Sequence, residues 1–121
     1  METFNDIKLS KQIAKSLNEL GFVKPTPIQA KTIPLLMDSN NDLIGSAQTG
    51  TGKTAAFGIP SIHLTDLSDS RTQTLILCPT RELCMQVTSD IKTYSKYVEN
   101  LGVVPIYGGA SMEVQIRAIK K

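Results

Sequence analysis

DLIGSAQTGTGKT, residues 42–54, decides the fold. It opens on a short apolar run, turns through glycines and closes on Gly52-Lys53-Thr54. A buried strand over 42–45, a glycine-rich loop and a helix starting near Lys53 make the phosphate-loop arrangement. Glycine permits positive φ and lets the backbone come close to phosphate. Successive N–H groups pointing inward form an anion nest, and the following helix presents its positive end to the same charge. In that pattern Lys53 reaches the β- and γ-phosphates and Thr54 lends its hydroxyl to Mg²⁺. The first position of G-x-x-x-x-G-K-[ST] is Ala47 here, where the chain need only turn tightly, so one methyl is a small departure. The competing reading is a glycine turn followed by a surface lysine. The strand before and the helix after weigh against it.

Outward from the loop, helical patterns alternate with short apolar runs, which predicts an α/β fold with a parallel sheet. Ser10 caps a first helix carrying Ile13, Leu17 and Leu20, and Gly21 stops it. Thr26 and Pro27 start a second helix, which Pro34 is expected to break or kink about two turns in. The helix from Lys53 is expected to be interrupted near Pro60. QTLILCP, residues 73–79, reads as a second strand, and Thr80 caps a helix with a stripe of Leu83, Val87, Ile91, Tyr94 and Val98. GVVPIYGG, residues 102–109, reads as a third strand that its proline demotes toward an edge. Ser111 starts a last helix with Val114, Ile116 and Ile119 on it.

The 121 residues allow one domain. Thirteen Lys plus Arg against eleven Asp plus Glu give a formal charge of +2, so a nucleic-acid site would have to be local. No run approaches the ~20 apolar residues of a membrane span, and METFNDIKLS lacks the regions of a secretory signal. Cys78 and Cys84 have no partners at metal spacing and read as reduced thiols of a cytoplasmic protein. His63 reads as structural or solvated, and Arg117, Lys120 and Lys121 as a solvated basic end.

GFVKPTPIQ (residues 21–29), AQTGTGKT (47–54), PTREL (79–83) and YGG (107–109) stand in the motif order of the DEAD-box RNA helicases. The whole chain resembles the start of their first RecA-like domain. Ala47 belongs to the form that the phosphate loop takes in that family. The resemblance implies an incomplete RecA-like P-loop NTPase domain, with a parallel sheet of about three strands flanked by helices. It implies ATP and Mg²⁺ as cofactors and RNA, held by its backbone, as partner. Ala47, Gln48, Thr49, Gly50, Thr51, Gly52, Lys53 and Thr54 would hold the phosphates, with Lys53 and Thr54 also assisting catalysis. Gln29 would read adenine, since its amide pairs one donor and one acceptor with N6 and N7. Lys24 would line the same site. Phe4, seventeen residues before Gly21, would stack near the base. From the residues alone, Gln29 is equally a solvated polar residue and Phe4 a core plug.

By the same resemblance Pro79, Thr80 and Arg81 would contact the RNA backbone, where a strand end meets a helix start. Arg81 has an alternative, an ion pair with Glu82. Gly108 and Gly109 would let RNA approach, or form only a turn; Gln115 matches the family's next feature. Cys84 replaces the alanine that often follows PTREL. The tetrad DEAD, TPGR, SAT and a second RecA-like domain do not occur in these residues. The chain is therefore expected to be a piece of a longer protein, not catalytically competent alone. Its loop-bearing strand should have unpaired edges, giving low stability or self-association. The other readings are a nucleotide- or anion-binding fragment without enzymatic activity, and an unrelated P-loop ATPase, kinase or transferase.

Overall fold

Ser10 Oγ accepts the Ile13 N–H at 3.3 Å and starts α1, Lys11–Glu19, as its position predicts. Gly21, at φ 74°, ends it. The Gly21 N–H donates to Asn18 O and the Phe22 N–H to Leu17 O, which is the Schellman closure that a glycine makes cheaply. The computed structural model describes residues 2–48, 50 and 52–120. Before α1 lies a single 3-10 turn, Phe4–Asp6; after it come α2 (Pro27–Asp38), α3 (Lys53–Leu64), α4 (Arg81–Tyr94) and α5 (Met112–Lys120).

α2 packs on α3, α3 on α4, and α4 on α1. Their shared core is Phe4, Ile13, Leu17, Ile33, Ala55, Ile59, Ile62, Val87, Ile91 and Tyr94. Gly58 lets α4 come close: a Cβ there would sit 3.3 Å from the Ile91 side chain. α2 and α3 run on through Pro34 and Pro60, so neither proline breaks its helix. Each proline removes a single N–H donor, and the packing of α2 against α3 carries both helices through. Of the stripe predicted on α4, Val87, Ile91 and Tyr94 are buried, Leu83 is exposed, and Val98 lies beyond the helix end.

The parallel sheet of about three strands is not formed. Among the described residues there is no strand, and no backbone hydrogen bond joins segments 42–45, 73–79 and 102–109 to one another. Apolar patterning selects a pleated surface but does not supply the neighbour that makes a ladder. The alternation itself survives. Ile76, Cys78 and Val103 pack on the helical core, while Leu75, Leu77, Val104 and Ile106 face outward. The run expected as a buried strand at 42–45 is exposed, Ile44 completely. α5 buries none of its residues.

Candidate functional site

The turn before α2 and the loop before α3 face each other across a cleft of about 430 Å³, lined by Phe4, Phe22, Lys24, Thr26, Gln29 and Gly52 among others. Gln29 is the centre of this arrangement. It sits at the third position of α2, close to the cap residue Thr26, and is buried. Its Oε1 accepts the Thr26 N–H at 3.0 Å, and its Nε2 donates to Gly52 O at 3.1 Å. An N–H can only donate and a carbonyl only accept, so these partners fix which way the amide points. One lone pair on Oε1 and one hydrogen on Nε2 remain, in a known order, beside the cleft.

Gly52 must be glycine on two counts. Its φ is 80°, and a Cβ built on it would fall on Gln29 Nε2 and lie 3.4 Å from Thr26 Oγ1. Thr26 Oγ1 is itself a buried oxygen with no hydrogen-bond partner among the described residues. Gly50 also takes positive φ, at 79°. Lys53, first residue of α3, folds back so that Nζ donates to Ala47 O at 2.8 Å, closing the loop on itself. Thr54 follows on the first turn of α3, half-buried. Gln48 is exposed beside them. Thr49 and Thr51 lie outside the described residues.

Phe4 is a core residue that also reaches the cleft. It is buried in the core and walls the cleft, with its ring 5.8 Å from that of Phe22. Its N–H donates to Val23 O at 3.1 Å. The Asp6 carboxylate accepts the N–H groups of Glu2 and Thr3, both at 2.8 Å, and fastens the turn that carries it. Those bonds, the one from Thr3 foremost, hold the Asp6 pKa below the ordinary 3.8. Lys24 is exposed on the cleft rim.

PTREL and YGG meet on the same edge. Thr80 Oγ1 accepts the Leu83 N–H at 3.2 Å and caps α4; Pro79, Thr80 and Arg81 are exposed. Arg81 makes no ion pair with Glu82: among the described residues its charged group lies instead over the Tyr107 ring, 4.7 Å from the centroid. Gly108 and Gly109 are exposed beside it. Gly109 has φ 84°, and a Cβ there would sit 3.6 Å from Arg81 Nη1.

Three contributors escaped sequence reasoning. Thr26 was read only as a helix cap and Phe22 only within GFVKPTPIQ, though an aromatic after a helix-stopping glycine is a usable signal. Tyr107 was read only within its motif. Gln115 was noted as a match without a role; its amide clamps Tyr107, accepting the N–H at 2.8 Å and donating to the carbonyl at 3.3 Å. His63 belongs to neither edge. It lines a separate cleft with Ser10, Tyr97 and Asn100.

The sequence profile of the DEAD/DEAH box helicases matches residues 26–121. The chain is 50% identical over 121 residues to the DEAD-box ATP-dependent RNA helicase CshA of Geobacillus kaustophilus, covering all of this chain and 26% of that protein. It overlays a DEAD box protein from the hyperthermophile Methanococcus jannaschii with a TM-score of 0.92 and 41% identity, over 98% of this chain and 32% of the other. It overlays Dbp5 of S. cerevisiae, bound to RNA and ADP BeF3, with a TM-score of 0.78 and 30% identity, over 82% of this chain and 26% of that one. The chain thus spans about a quarter of the length of the curated relatives it matches.

Proposed function

This chain belongs to the DEAD/DEAH box helicase family, and we propose that it carries the adenine- and phosphate-binding part of an ATP-dependent RNA helicase, with one stretch of the RNA track. The observation that carries the reading is the double bond of Gln29 to Thr26 and Gly52. It joins the PTPIQ turn to the phosphate loop and orients the amide for one base. Adenine offers a donor at N6 and an acceptor at N7. The remaining lone pair of Oε1 and hydrogen of Nε2 match them. Guanine offers an acceptor where N6 would be, and two oxygens would face each other.

Ala47, Gln48, Gly50 and Gly52, at the positive end of α3, would cradle the phosphates. Lys53, whose Nζ here donates to Ala47 O, would instead donate to the β- and γ-phosphates of a bound nucleotide. Thr54, whose hydroxyl makes no hydrogen bond among the described residues, would lend one oxygen ligand to a Mg²⁺ bound with the nucleotide. Phe4 and Lys24 border the base and its approach. When bound, the metal and nucleotide supply the charge and the leaving group, and this chain's part is to hold them.

RNA lies along the other edge, against Pro79, Thr80 and Arg81 and beside Gly108 and Gly109. An exposed arginine and a helix start can grip phosphates without reading bases. Hydrolysis needs carboxylates to hold Mg²⁺ and orient water; among the described residues no cluster of three acidic or metal-binding side chains forms. We place those groups, and the strands that complete the RecA-like sheet, in the remainder of a longer protein. In this reading the protein is cytoplasmic; among the described residues no helix is long and apolar enough to cross a membrane.

Nucleotide titration tests the assignment. The chain should bind ATP-Mg²⁺ more tightly than GTP-Mg²⁺ by roughly tenfold, the worth of about one to two hydrogen bonds, and Gln29→Ala should bring the two together. Equal binding of ATP and GTP by the unaltered chain would count against it.

A further inference from the structure

We infer that the Tyr107 ring is the positioning device for Arg81 on the RNA edge: its face holds the guanidinium while leaving every N–H of that group free for phosphate. The inference rests on the RNA reading above and deepens it. Arg81 is exposed on the first turn of α4, and a side chain of that length on an open surface samples many rotamers. Here it lies over the Tyr107 ring, 4.7 Å from the centroid, with no hydrogen bond or ion pair among the described residues. A carboxylate partner would occupy the same fork of donors that a phosphate needs. A ring attracts the cation through its π face and uses none of them.

The ring is itself held. Tyr107 has its N–H and its carbonyl both bonded to the Gln115 amide, at 2.8 and 3.3 Å. Gln115 stands on α5, so the helix that buries nothing still fixes the segment beneath Arg81. Gly109 completes the seat. It adopts φ 84° and leaves the side of Arg81 Nη1 without a side chain. The stack therefore costs RNA binding nothing in donors and removes part of the ordering cost of a long cation.

Binding of a short oligouridine to the chain, followed by fluorescence anisotropy, tests this. Tyr107→Phe should bind as the parent does, because the ring face is kept. Tyr107→Leu should weaken binding by about threefold, the scale of an exposed cation–π contact. Phenylalanine at position 107 carrying progressively more fluorine keeps the shape and withdraws charge from the face. Binding should then fall stepwise while the unfolding temperature stays constant, a pattern that a merely structural role does not produce. In an Arg81→Ala background the same series should be flat. A flat series in the parent, with Arg81→Ala still weakening RNA, would overturn the inference and leave the RNA reading standing. No loss of RNA binding in Arg81→Ala would overturn both.

Discussion

A methyl group added at Gly52 would occupy the place of the Gln29 amide nitrogen. It would also force an L-residue to φ 80°, at a cost of about 1–2 kcal/mol. Gly52→Ala should therefore lower stability by roughly that amount and abolish nucleotide binding, because Gln29 must leave the position in which it is oriented. Thermal unfolding and nucleotide titration read the two effects separately; an unchanged affinity would mean that the contact between Gln29 and the loop is incidental. Gly52 and Lys53 stood out in the sequence through the glycine-rich loop that ends in them, and Gln29 only through the family resemblance. What the sequence did not contain was their mutual arrangement. Nothing in PTPIQ announces that Gln29 bonds Gly52, 23 residues further on, or that Arg81 prefers the Tyr107 ring to the carboxylate of Glu82. Those choices are made by tertiary packing, after the local structure is settled.

Helices were legible at both ends where a side chain closes the backbone. Ser10, Gly21, Thr26, Thr80 and Ser111 each stand at the boundary they predict, since capping is local chemistry. The prolines misled because the cost of one lost donor is small beside the apolar contact between α2 and α3. One tie between elements lies outside every motif. The Glu19 carboxylate, at the end of α1, accepts from the Tyr97 hydroxyl and from Lys96 Nζ, the latter at 3.1 Å. The Lys15 Nζ lies 4.2 Å from the Tyr97 ring centroid. The Tyr97 hydroxyl first, then Lys96, hold the Glu19 pKa below its ordinary 4.5. A carboxyl lowered by folding contributes stability that is present above the ordinary value and lost as pH falls through the folded value. The chain should therefore lose part of the attachment between α1 and the segment that follows α4 on acidification below about pH 4.5. Glu19→Gln should flatten that acid limb in unfolding curves recorded across pH; an identical limb in the variant would remove Glu19 as its cause.

At the scale of the molecule the helical layer is closed and the face opposite it is not. Leu75, Leu77 and Ile106 are 79, 85 and 56% exposed, and Ile44 fully so. Exposed apolar surface of this kind marks a contact surface, and backbone without a ladder partner adds to it. The apolar alternation of 73–79 and 102–109 was legible because it is a property of the run itself. The sheet was not, because a ladder belongs to a pair of segments, and these three do not bond each other. The chain in isolation should therefore self-associate, and the double substitution Leu75→Lys with Leu77→Lys should shift it toward the monomer in sedimentation. A strict monomer with a sharp, high-temperature unfolding transition would contradict this.

The most direct test of the central claim uses an ATP in which N7 of the base is replaced by carbon. If the Gln29 amide reads adenine, the unaltered chain should bind ATP several-fold more tightly than this analogue, the worth of about one hydrogen bond. Gln29→Ala should bind the two alike. Equal affinities in the unaltered chain, or an undiminished difference in Gln29→Ala, would contradict the account.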